Sequence, residues 1–142
     1  MEALLAALPD DRRARVEARL ECDIIAWLTT VRPSGQPDTV PVWYLWTEDT
    51  IVIYSRPQKL KQRNLAANPK VSLVLDDTKQ GWDVVRIEGC ARLDPSRPSL
   101  AQTPAYVEKY AKGIRAIGYA GPAEFAADFS EAIVVTPTRV RG

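Results

Sequence analysis

The chain has 142 residues, 46% of them hydrophobic and 26% charged, with 19 basic against 18 acidic side chains and a net charge of +1. The length predicts one domain over 1–142, and the mix is that of a folded protein rather than a disordered one. The even charge balance argues against a general nucleic-acid binder, and no apolar run approaches the ~18 residues of a membrane span. With no histidine, Ser-His-Asp and Cys-His hydrolases and His-ligated haem are excluded; two cysteines without CxxC spacing leave no metal ligand set.

Residues 1–22 read as a helix. Leu4, Leu5, Leu8, Val16 and Leu20 give a broken apolar stripe, and Arg12, Arg13, Arg15 and Arg19 mix with acids on a solvated face. The stretch lacks the order of a signal peptide, which predicts a cytoplasmic protein. Residues 24–31 form an apolar, β-branched strand, and RPSGQP at 32–37 turns the chain. In the next strand, 39–46, Val40, Val42, Tyr44 and Trp46 share one face, and Pro41, Trp43 and Leu45 the other. Pro41 cannot donate to a ladder, which predicts an edge or a bulge there. TEDT at 47–50 turns into a third strand at 51–55, completing an antiparallel meander.

A helical spacing then covers 58–67 and stops at Asn68-Pro69. Residues 71–75 are a strand and 76–81 a loop. Residues 83–93 alternate as a long half-buried strand, with Val85, Ile87, Ala91 and Leu93 inward and a bulge marked by Gly89. Helical regions follow at 99–112 and 121–129, and a last strand at 132–140. Cys22 and Cys90 read as small packed residues. About six mostly neighbouring strands with two or three inserted helices make a mainly β fold, a closed or nearly closed antiparallel barrel.

The stretch YSRPQKLKQRN, 54–64, carries the chemistry. A strand ends at Tyr54-Ser55, a loop holds Arg56 and Pro57, and a helix starts near Gln58. Lys59, Lys61 and Arg63 then lie near a helix N-terminus, where unpaired N–H groups favour an anion, and the Ser55 hydroxyl offers one more donor. The turn reads either as a phosphate pocket or as a solvated basic surface. Of the aromatics, Tyr44 and Trp46 read as core, whereas Trp43, on the opposite face, is the better candidate to line a site for a flat ring.

The run from Trp27 to Leu93 resembles the pyridoxamine-phosphate-oxidase-like split-barrel superfamily, most of all its F420-dependent branch. The matching pieces, in order, are TTVRPSGQPDTVPVWYLW, TEDTIVIYS, KLKQRNLAANPKVSLVL and VVRIEGCARL. The resemblance implies a split β-barrel homodimer that holds a flavin or deazaflavin in a groove between subunits and moves hydride to or from a small organic substrate. It implies cofactor contacts from Tyr54 and Ser55, from the backbone around Val42 and Trp43, and from the strand beginning at Trp82, including Arg86 from the other subunit. The phosphate lysine best matches Lys61, with Lys59 similarly placed. Pyridoxamine-phosphate oxidases carry Arg-x-His near the C-terminus; this chain ends TPTRVRG, so vitamin B6 synthesis is not expected. Where those oxidases have Arg-Lys, this chain has Leu60-Lys61, which turns the expectation from FMN toward coenzyme F420, whose longer anionic tail suits Lys59, Lys61 and Arg63. An FMN oxidase or reductase, or a non-catalytic cofactor carrier, are the alternatives.

Overall fold

The computed structural model describes residues 1–47, 49–76 and 79–142. Glu48, Asp77 and Thr78 lie outside the described residues, so the expected turn at 47–50 and loop at 76–81 are seen only in part. The elements run α1 (Glu2–Ala6), α2 (Asp10–Cys22), β1 (Ile25–Val31), β2 (Pro37–Trp43), β3 (Leu45–Trp46), β4 (Ile51–Ser55) and α3 (Leu60–Ala67). They continue with β5 (Lys70–Leu75), β6 (Val85–Leu93), a single 3-10 turn (Leu100–Gln102), α4 (Pro104–Ala116), α5 (Pro122–Asp128) and β7 (Glu131–Arg141). The one helix expected over 1–22 is two, because Pro9 is extended (φ −54°, ψ 146°) and starts a new helix.

The strands form one antiparallel sheet in the order β2-β1-β5-β6-β7-β4-β3. Its two edges, β2 and β3, are halves of the single strand expected at 39–46, separated only by Tyr44. One short stretch of chain thus borders both edges, so the sheet must curl into a half-barrel. The expected meander holds in part. The third strand, β4, meets only the second half of its predecessor, through Leu45↔Val52 and Trp46↔Ile51, and otherwise pairs with β7.

The break at Tyr44 takes its backbone out of both ladders, and side chains compensate. The Tyr44 N–H donates to the Tyr110 hydroxyl at 3.0 Å, and Lys109 Nζ donates to the Tyr44 carbonyl at 3.2 Å. Pro41 sits on the β2 edge, as its missing donor requires. Gly89 marks a bulge against β7: the register skips between Glu88 and Gly89, and a Cβ there would meet the Thr136 carbonyl oxygen at 2.6 Å.

Alternation sorts side chains into two cores. Inside the curl lie Leu28, Val42, Tyr44, Ile51, Ile53, Leu73, Ile87 and Val135, plugged by Leu5, Val16 and Leu20 of α1 and α2. Outside, Val52, Tyr54 and Ala132 pack under the 3-10 turn, α4 and α5 with Tyr106, Tyr110, Ile114 and Phe125. β4 is buried on both faces, which explains its unbroken apolar run IVIYS. Three expectations fail. Leu93 is exposed at the end of β6. Cys22, at the end of α2, and Cys90, on the outward side of β6, are exposed free thiols rather than packed residues.

Candidate functional site

β4 delivers Tyr54 and Ser55 to the mouth of the outer core, where the chain leaves the sheet and turns into α3. Ser55 Oγ donates to the Arg56 carbonyl at 2.9 Å. Gln62 reaches back from α3, its Nε2 donating to Ser55 Oγ at 3.0 Å and to the same carbonyl at 2.6 Å. Gln58 takes a left-handed conformation (φ 60°), so the helix starts two residues later than expected, at Leu60, with Lys59 at the N-cap position. No side chain among the described residues caps α3, which leaves its first-turn N–H groups open to an anion.

Lys59 is exposed and Lys61 half-buried. Among the described residues no carboxylate forms an ion pair with either. Burial, and then the charge of Lys59, lower the Lys61 ammonium below its ordinary pKa. The negative charge of an arriving phosphate would offset both effects, so an anion is the group this end of the turn suits.

The turn forms one end of a cleft of about 480 Å³, a volume typical of small-molecule sites. β1 and β2 contribute Ile25, Pro41, Val42 and Trp43; the turn contributes Ser55, Arg56, Lys59 and Lys61; the C-terminal helices contribute Tyr106, Ile117, Phe125 and Phe129. The Trp43 ring stacks on Tyr110 (4.7 Å, 9°) and leans on Phe125 (5.5 Å, 32°). Gly113 gives it room, since a Cβ there would lie 3.2 Å from the indole. The Arg56 guanidinium donates to the Tyr119 hydroxyl (3.1 Å) and lies over the Phe129 ring (5.1 Å), and Tyr119 donates onward to Asp128 (2.7 Å). That chain ties the basic turn to the C-terminal helices.

Val42, Trp43, Tyr54, Ser55, Lys59 and Lys61 are thus brought together on one cleft. Trp82 and Arg86 are not. Trp82 is 79% exposed just before β6, and Arg86 lies on the outward sheet face beside Arg139 and Arg141. Arg63 is exposed and is not among the residues lining the cleft, because two residues along the helix from Lys61 it points to the opposite side; Arg56 supplies the third cation instead. Two hydroxyls are also committed differently from expectation. Tyr54 donates to the Pro98 carbonyl at 2.9 Å or to Thr103, and Ser55 spends its only proton on Arg56. The aromatic wall of α4 and α5 was not anticipated, though the i,i+4 pairs Tyr106/Tyr110 and Phe125/Phe129 are its signal in the sequence.

A profile of the family described as pyridoxamine 5'-phosphate oxidase matches residues 13–142. This chain belongs to that family. No curated protein matches it. Among solved structures, one titled F420 reductase is similar at a TM-score of 0.67 and 26% identity over 88% of this chain and 94% of that one. A putative pyridoxamine 5'-phosphate oxidase from Listeria innocua is similar at 0.65 and 21% identity over 90% and 94%. A conserved hypothetical protein from Mycobacterium tuberculosis is similar at 0.70 and 21% identity over 95% and 84%. For this member of the pyridoxamine 5'-phosphate oxidase family, the curled seven-stranded sheet is therefore the expected flavin- or F420-binding scaffold. Among the described residues no helix is long and apolar enough to cross a membrane.

Proposed function

We propose that this chain is an F420-dependent oxidoreductase acting on a small organic substrate, with the cofactor phosphate on the Lys59–Lys61 turn and its ring against Val42 and Trp43. The observation that carries the reading is the pairing of two carboxylate-free lysines at an uncapped helix start with an apolar, aromatic-walled cleft. The donor set fits such a group: cations and open N–H groups at one end, flat apolar walls at the other. The 26% likeness to an F420 reductase supports the deazaflavin over FMN.

When bound, F420 supplies the hydride; the chain's part is to orient and to exclude water. Lys61 and Lys59 hold the phosphate, and Arg56 stands beside them for the rest of the anionic tail. Trp43, fixed by Tyr110 and Gly113, sets the plane against which the ring lies. Ile117, Phe125 and Phe129 line the substrate side. Tyr106 lines the cleft too, but burial, then Tyr110 and Tyr54, push its phenol far above its usual pKa. It keeps its proton, and no side chain is assigned as the acid.

The working form is a homodimer. Trp27, 46% exposed, pairs with Pro41 of the cleft on one side and with Val74 on the other, and Val74 pairs with Arg86. This row across the open sheet face leads from the cleft to Arg86, so a second copy seated there closes the cleft and brings its own Arg86 and Trp82 near it.

The test is fluorescence titration with F420 and FMN side by side, followed by turnover of the reduced complex with a panel of acceptors. Tighter F420 binding and accelerated acceptor-dependent oxidation are expected. Tighter FMN binding would move the assignment to a flavin enzyme, binding without turnover to a carrier, and no binding of either would reject the reading.

A further inference from the structure

We propose that Gln62, which is not among the cleft-lining residues, is a positioning residue that releases the Ser55 hydroxyl to a bound phosphate; the inference rests on the phosphate-turn reading above. The Arg56 carbonyl accepts from two donors, Ser55 Oγ at 2.9 Å and Gln62 Nε2 at 2.6 Å. Ser55 has one proton to give. While that proton points at Arg56, the hydroxyl cannot donate to a ligand. Were Ser55 the carbonyl's sole donor, turning toward phosphate would strip a part-buried acceptor of its partner, at a cost of about tenfold in affinity. Gln62 removes that cost, because its amide stays on the carbonyl whichever way the hydroxyl points.

The amide orientation is fixed by the same geometry. Gln62 is 6% exposed, and a flipped side chain would set its oxygen 2.6 Å from the Arg56 carbonyl oxygen, acceptor against acceptor. The present orientation leaves Gln62 Oε1 buried without a hydrogen-bond partner. The residue therefore gives up a hydrogen bond of its own to keep its N–H groups on Ser55 and Arg56, an arrangement that packing alone does not require.

The experiment is a double-mutant cycle read by F420 and FMN titration on the intact protein: wild type, Ser55→Ala, Gln62→Met and the double variant. In the wild-type background Ser55→Ala weakens the tighter-bound cofactor by about tenfold, the loss of one charge-assisted hydrogen bond. In the Gln62→Met background, where the hydroxyl is held on Arg56, Ser55→Ala changes affinity by less than about twofold. A Gln62 that only supports the fold would leave the Ser55→Ala loss equal in both backgrounds, and that additive result overturns the proposal, as does a Ser55→Ala variant that binds like wild type. Melting temperatures check folding; if Gln62→Met does not fold, Gln62→Glu, whose carboxylate cannot donate to the carbonyl, replaces it in the same cycle. Lys61→Ala is titrated alongside. Unchanged affinity there rejects the phosphate turn and this inference with it; lost affinity there, with additive Ser55 and Gln62 effects, rejects the role of Gln62 alone.

Discussion

Replacing Tyr110 with Phe isolates the device that bends the sheet. The Tyr110 hydroxyl accepts from the Tyr44 N–H at 3.0 Å and donates to the Ile24 carbonyl at 2.6 Å or the Tyr44 carbonyl at 2.9 Å. The residue is 1% exposed, so water does not readily replace what is lost. Removing one oxygen takes the acceptor from a buried N–H and the donor from a carbonyl, at about 1–3 kcal/mol for the first and somewhat less for the second, hence about 2–4 kcal/mol in all. The ring remains, and with it the stacking on Trp43 at 4.7 Å. For a chain of this size each kcal/mol moves the melting temperature by about 3 °C, so a fall of about 6–12 °C is expected. Urea melts at fixed protomer concentration should show a lower midpoint with an unchanged slope. A loss below about 0.5 kcal/mol would falsify the claim that these bonds hold the kink.

Lys61→Met should weaken F420 by about 1–3 kcal/mol yet raise the melting temperature of the free protein. The folded pKa lies below the ordinary 10.5, so the charged form opposes folding at neutral pH, and that penalty fades only as the pH rises through the lowered pKa toward 10.5. Phosphate binding should correspondingly weaken as the pH climbs through that range; a flat profile would count against Lys61 touching the anion. Gly89→Ala should cost about 1–3 kcal/mol, because the new Cβ meets backbone rather than a yielding side chain. Gly113→Ala gains about 1 kcal/mol of helix propensity against a 3.2 Å contact with Trp43, so its stability should barely move while the near-ultraviolet dichroism of the Trp43–Tyr110 stack changes. Trp27→Arg, on an outward position, should leave the monomer folded, shift sedimentation to the single chain and lower F420 affinity; a monomer that binds F420 as tightly as the dimer would separate the site from the open face.

Local periodicity made most of the fold legible. The alternation of Val42, Trp43, Tyr44, Leu45 and Trp46 predicted their faces, and the structure keeps that alternation straight through the break at Tyr44. The break itself was not legible. It depends on Tyr110, 66 residues away, which supplies the hydroxyl that a strand interior would not need. The cysteines show the opposite failure. Residue type favoured burial, but Cys90 falls on the outward step of a strand whose inward steps are Val85, Ile87 and Ala91, and position overrides type. At the site, the cations and the strand end were readable from spacing. What spacing could not show was the left-handed Gln58, which delays the helix to Leu60, and the loop residue Arg56 as the third cation. That Arg63 faces away from Lys61 was readable, since helical residues two apart do not share a face.

The placement of the cleft follows from how unevenly the sheet is covered. The C-terminal helices bury the outer face of β4 and β7 and reach β2 at Trp43, but stop there. Trp43 pairs with Ile25 in the register, and Ile25, the next outward residue, is 39% exposed. The cleft is therefore the boundary between a covered and an uncovered part of one surface, with the basic turn at its end. On the proposed reading such a boundary suits a flat molecule, because one wall is already fixed. It excludes water, which hydride transfer needs, only when something covers the other side. On that same reading a second copy provides the cover, and the exposed Trp27, paired with Pro41 of the cleft, is where it would sit.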